Sequence, residues 1–137
     1  MGLMKLFIDT NIFVSILNKE KNYEISKDII REIYKGKHSG ATSTICIAEI
    51  LSGFFSENEM DKGERFLTDI MSISNFKIID VDLQIAKESA RFRGMYKIKL
   101  PDAMIIATCK LYDYILLTND KRLRKIKEIQ IKTPDKV

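Results

Sequence analysis

One histidine, two cysteines, two prolines and no tryptophan occur among the 137 residues, and these shortages remove whole classes of chemistry. His38 is the sole histidine, in the segment Lys37-His38-Ser39-Gly40, so no two-histidine acid/base pair exists. A Ser-His-Asp triad would have to use it, and no G-x-S-x-G or comparable nucleophile turn accompanies it. Cys46 and Cys109 lack any C-x-x-C context, which excludes a cysteine-based zinc site and fits the reduced thiols of a cytoplasmic protein. The six glycines are scattered, with neither G-x-G-x-x-G nor G-x-x-x-x-G-K-[ST], so dinucleotide and P-loop sites have no support. The longest apolar run, Ala103 to Ala107, falls far short of the roughly 18 residues of a membrane span, and no membrane association is expected. No secretory signal is expected either. Leu6 stands where a myristoylation site wants Ser or Thr, and residues 1–4 read as a short lead-in.

What is present is the composition of an ordinary globular domain, 45% hydrophobic and 31% charged, expected to span residues 1–137 as one unit. A chain of this length buries enough surface to need no covalent or metal staple. Lysine and arginine exceed the acids by 23 to 19, a net charge of +4 that leans toward a polyanionic partner. The bases cluster. Lys87, Arg91, Arg93, Lys97 and Lys99 fall in one stretch with Glu88 as the only acid, and Lys121, Arg122, Arg124, Lys125 and Lys127 fall in another with none. On charge alone these runs read equally well as solvated helix faces.

The order of elements narrows the fold. Lys5 to Ile8 reads as a strand ended by the polar turn Asp9-Thr10-Asn11, after which Ile12, Phe13, Ile16 and Leu17 recur at helical spacing. A second helix is predicted from about Asn22 to Tyr34, with Gly36 as its stop. Next come a short extended piece over residues 40–43, a helix from Thr44 to about Phe55, and a more polar one from about Glu59 to Ile73. Phe76 to Ile79 reads as a strand, Asp82 as an N-cap and Leu83 to about Met95 as a helix; Pro101 suits the first turn of a helix to Tyr112. Tyr114 to Leu117 is a buried-type strand, Thr118-Asn119-Asp120 a turn, Lys121 to Ile126 a short helix, and Ile129 to Lys132 a closing strand. Short apolar strands alternating with longer helices predict an α/β domain with a mainly parallel sheet. Ligands bind such sheets outside the carboxyl ends of the strands, the edge on which Asp9 and Asp120 fall.

By elimination, the chemistry left is that of carboxylates. Asp9, Asp102 and Asp120 each have a structural explanation as a cap or a helix-dipole partner. Glu49 lies about 160° from Ile47 on a helical wheel, opposite the apolar stripe, where solvent exposure is the simpler reading and partial cover the other. If the four acids converge, their charges repel unless a cation intervenes, and a hard oxygen-ligated ion such as Mg²⁺ or Mn²⁺ answers that need. Beside basic patches such a site suits phosphodiester hydrolysis.

Four stretches in order resemble the PIN domain family, and the small size resembles its VapC-type toxins: residues 7–11 with Asp9-Thr10-Asn11, residues 43–53 with Glu49, residues 100–108 with Pro101-Asp102, and residues 117–120. The resemblance implies a three-layer fold around a mainly parallel five-stranded sheet of order 3-2-1-4-5, and a metal-dependent endoribonuclease acting as the toxin of a toxin–antitoxin pair. Carried over by position, Asp9 and Asp102 become the principal ligands of Mg²⁺ or Mn²⁺. Glu49 binds metal or orients the attacking water, and Asp120 completes the site. Thr10, Asn11, Thr118 and Asn119 support the acids or contact phosphate. The resemblance also implies a homodimer and a neutralising antitoxin. This chain departs from the family after the last acid, where many relatives carry an aromatic residue and it continues Lys121-Arg122-Leu123-Arg124.

Three other readings compete. The chain is also consistent with a stand-alone RNA-processing PIN nuclease, with a catalytically dead PIN scaffold, or with a phospho-receiver module carrying Asp80 as its phosphorylated residue. Against the receiver, Asp9 is followed by Thr10-Asn11 rather than by a second acid, and Glu49 and Asp102 have no role in it.

Overall fold

A computed structural model describes residues 3–137. Of the predicted N-terminal lead-in, Met1 and Gly2 lie outside the described residues, whereas Met4 already packs against the core and donates its N–H to Nδ1 of His38 at 3.2 Å. Strands β1 (Lys5–Ile8), β2 (Ser39–Ser43), β3 (Phe76–Ile79), β4 (Ile115–Leu117) and β5 (Ile131–Lys132) form one five-stranded sheet of order β3-β2-β1-β4-β5. Every pairing is parallel. The expected α/β architecture and strand order are therefore present.

Alternation along β1 sends side chains into two separate apolar layers. Leu6 and Ile8 pack with Ile12 and Phe13 of α1 (Thr10–Leu17), Ile29 and Ile33 of α2 (Tyr23–Tyr34), Ile50 of α3 (Thr44–Ser56) and Phe66 of α4 (Met60–Met71). Phe7 faces the opposite layer, with Ile85 and Phe92 of α5 (Leu83–Tyr96) and Ile105 and Ile106 of α6 (Leu100–Tyr112). Helices thus cover both faces of the sheet. Among the described residues no helix is long and apolar enough to cross a membrane.

Local chemistry sets the boundaries. Gly36, at φ +85°, ends α2 as predicted, because a side chain there would be strained. Asp82 caps α5 by accepting from the Ile85 N–H at 2.9 Å. Helix α1 begins at Thr10 rather than beyond the polar turn, since Asp9 caps it and Thr10 and Asn11 become its first residues. Tyr114 drops out of the predicted strand because Asp113 ends α6 in the left-handed region and the Tyr114 N–H still bonds back to Cys109. The segment Lys121–Lys125 is a 3-10 turn in place of a short helix, and the closing strand shrinks to Ile131–Lys132. Both cysteines are buried and free.

Candidate active site

The register of β1 against β4 assembles the site. Ile8 pairs with Leu117, and the Asp9 N–H continues the ladder to the Leu117 carbonyl at 3.1 Å, so Asp9 and Thr118 leave adjacent strands side by side at the carboxyl edge. Strand order reverses at this point, the crevice in which open α/β sheets bind ligands.

Asp9 is only 5% exposed, and its carboxylate is fixed from several sides. Oδ1 accepts the Thr10 N–H at 2.7 Å, the N-cap of α1; Oδ2 accepts the Thr118 hydroxyl at 2.7 Å and the Asn11 amide at 3.2 Å. Asn11 ties the two turns together, donating to Thr118 Oγ1 at 2.9 Å and accepting the Asn119 backbone N–H through Oδ1 at 3.0 Å. Thr118 Oγ1 also accepts the Asp120 N–H at 3.0 Å. From α3, Glu49 is exposed, in line with the simpler wheel reading, and its Oε1 accepts the Thr10 hydroxyl at 2.7 Å. Asp102 arrives half-buried from the first turn of α6.

Electrostatics show how closely these groups stand. Burial above all pushes the Asp9 carboxyl up to about 6, against the opposing hydrogen bonds of Thr118 and Thr10, and the charges of Asp102 and Glu49 raise it further. Asp102 is raised too, first by burial and then by the charges of Asp120 and Glu49. Asp120 moves the other way, because the Arg122 guanidinium bonds to it. Among the described residues, Asp9, Glu49 and Asp102 have no ion-pair partner, and Asp120 alone has one, Arg122, at 2.7 Å. As the side chains lie, no three acidic, imidazole or thiol groups among the described residues form a ready metal cage.

The donor chemistry nevertheless suits a hard divalent cation. Four carboxylates share one edge, three of them uncompensated, with neither histidine nor an ionisable thiol beside them. Buried Cys46, next to Thr10, has its thiol pushed up to about 11, and His38 precedes β2 at the opposite end of the sheet. The residues that could hold such an ion are Asp9, Glu49, Asp102 and Asp120.

Thr10, Asn11 and Thr118 bond to the acids through their side chains, whereas Asn119 enters through its backbone N–H and leaves its side chain exposed. Sequence reasoning missed two contributors. Thr42, fully buried on β2, donates its hydroxyl to the Ile8 carbonyl at 2.9 Å and steadies the strand end before Asp9; a β-branched threonine among the small residues of Ser39–Ser43 was the available signal. Arg122 appeared only as one base in a run. Asp80, the receiver candidate, is exposed after the edge strand β3, with β2 standing between it and β1, so it does not join the acids.

Comparison with known proteins agrees with this fold. A search of curated proteins returns no significant match. Among solved structures, the chain resembles a VapBC complex of Rickettsia felis bound to a fragment of its promoter DNA, at 20% identity and TM-score 0.80, covering 95% of this chain and 98% of that one. A toxin–antitoxin complex of Klebsiella pneumoniae is 28% identical at TM-score 0.70, covering 94% and 97%. A VapC toxin of Mycobacterium tuberculosis, described as cleaving the sarcin–ricin loop, is 12% identical at TM-score 0.68, covering 91% and 98%. The PIN domain model itself matches residues 6–129, a span that takes in all four acids and the whole sheet edge they share except β5, and the chain accordingly belongs to the PIN domain family.

Proposed function

We propose that the protein is a Mg²⁺- or Mn²⁺-dependent endoribonuclease, the toxin of a toxin–antitoxin pair, with residues 1–137 acting as one unit in the cytoplasm. The observation that carries this reading is the set of uncompensated acids, Asp9, Glu49 and Asp102, at the switch point of the sheet beside a basic turn. Burial first and neighbouring charge second disfavour ionisation of Asp9 and Asp102, and occupancy by a divalent cation relieves that cost.

When bound, the ion supplies an acidified water and positive charge for the phosphate. The protein's own groups do the rest. Thr118, Asn11 and the Thr10 N–H hold Asp9 in one orientation, so little reorganisation is needed when a charge arrives. Glu49 has Oε1 engaged by Thr10, which leaves Oε2 to orient the attacking water and take its proton. Lys99 and Arg122 lie near enough to lower the Asp102 carboxyl and supply positive charge where the RNA backbone would lie.

The partner reading draws on a different part of the surface. A groove of about 770 Å³ runs between α1, α3 and α4, with Leu17, Ile50, Phe54 and Phe66 along it, charged residues at its rim and Glu49 on its wall. An antitoxin segment with apolar anchors seated there would reach Glu49, consistent with relatives solved as toxin–antitoxin complexes. A homodimer is part of the same proposal, checked by light scattering of the purified protein.

The test is incubation with an end-labelled structured RNA, and with DNA of the same sequence, in Mn²⁺, Mg²⁺ or EDTA. Discrete cuts in RNA alone, present with either metal and absent in EDTA, are the expected outcome. Cleavage of neither substrate, or cleavage that persists in EDTA, contradicts the proposal.

A further inference from the structure

Asp120 differs from the other acids in having a cation of its own. Its Oδ1 accepts both the backbone N–H and Nε of Arg122, each at 3.0 Å, and Oδ2 accepts Nη2 at 2.7 Å. Both oxygens are therefore occupied by one residue in a two-pronged contact. The Arg122 side chain is otherwise free: it is 73% exposed, and among the described residues Asp120 is its only hydrogen-bond partner. Its charge also reaches Asp102, whose carboxyl it lowers against the upward push of burial.

A planar guanidinium fits a phosphate as well as a carboxylate, and the Arg122 end of the pair, 73% exposed, is open to a second anion. A cation that takes both oxygens of Asp120 competes with Arg122 for them, and the displaced group stands at the edge where an RNA backbone would enter. Resting on the metal-nuclease reading above, we propose that Arg122 is a phosphate-binding residue of the RNA site and that it withholds Asp120 from divalent metal until an RNA phosphate draws the guanidinium away.

Two opposite effects follow from one side chain. Without RNA, Arg122 competes with the ion for Asp120 and adds a repelling charge beside Asp102. With RNA, it adds attraction to the phosphate. Metal and RNA binding then reinforce one another, and by linkage each raises the affinity for the other by the same factor.

The experiment is calorimetric titration of Mn²⁺ into RNA-free wild type, Arg122→Ala and Arg124→Ala, with kcat and KM for RNA cleavage at saturating Mn²⁺. Arg122→Ala should bind Mn²⁺ about threefold more tightly while its kcat/KM falls about tenfold. Arg124→Ala, on the same turn but without a bond to an acid of the site, should bind Mn²⁺ as wild type does. Unchanged or weaker Mn²⁺ binding by Arg122→Ala overturns the competition, and undiminished cleavage by it overturns the phosphate contact. A wild type that binds no Mn²⁺ overturns the nuclease reading and this proposal together, an outcome distinct from both.

Discussion

At Asp9 a single carboxylate caps α1, bonds to the facing turn through Thr118 and stands among other acids, so capping and a functional role are not alternatives here. The energetic consequence is measurable. Its carboxyl is raised from an ordinary 3.8 to about 6, so between those values the folded protein holds a proton that the unfolded chain has lost. The contribution of Asp9 to stability is therefore fully present below about pH 4 and is lost as pH rises through about 6. Asp9→Asn removes that decline. In urea unfolding without metal at pH 8 it should exceed wild type by up to about 3 kcal/mol, with the gap closing near pH 4. Saturating Mn²⁺ at pH 8 should stabilise wild type and leave Asp9→Asn unmoved. Thr118→Val tests the support of Asp9 from the other side: it deletes the hydroxyl that donates to Asp9 and accepts the Asp120 N–H, and should lower stability by about 1–2 kcal/mol.

Helices and strands were legible in the sequence wherever apolar spacing and a capping residue agreed. Asp82 before Leu83 and Gly36 after Tyr34 mark real ends, because each supplies a specific hydrogen bond or backbone conformation that the residue type announces. Legibility failed where tertiary contacts decide. Nothing in Tyr114-Ile115-Leu116-Leu117 shows that Asp113 turns left-handed and takes Tyr114 out of the strand. The run Lys121 to Lys127 shows its charge but not which base folds back on Asp120. Glu49 could be placed on the exposed face of α3 by its wheel position, but its bond to Thr10 depends on how α1 and α3 pack. Packing also explains Gly40 on β2, where a Cβ would lie 2.7 Å from Ile33 Cδ1 and 2.8 Å from Phe76 Cδ1. Gly40→Ala should crowd the Ile33 and Phe76 side chains and lower stability by about 1–3 kcal/mol, read by denaturant unfolding.

Over the whole molecule, the order β3-β2-β1-β4-β5 does what no local pattern does: it sets the ends of β1 and β4 together and so gathers acids more than a hundred residues apart in the chain. A net charge of +4 surrounds this acidic edge with attraction for a polyanion while the edge itself repels one, so the nuclease proposed above would need the neutralising cation to bind RNA productively. RNA affinity should accordingly fall about tenfold between 50 and 200 mM salt. The central claim is that the acids at the switch point cleave RNA with a divalent ion. The most direct measurement is single-turnover cleavage of one end-labelled structured RNA by wild type and Asp102→Asn, in Mn²⁺ and in EDTA. Asp102→Asn keeps the size of the side chain and removes an acid that no ion pair compensates, so the fold should persist while the rate falls by about 100-fold or more. Metal-dependent cuts by wild type that vanish in Asp102→Asn are the expected result; cuts that the variant retains would contradict it.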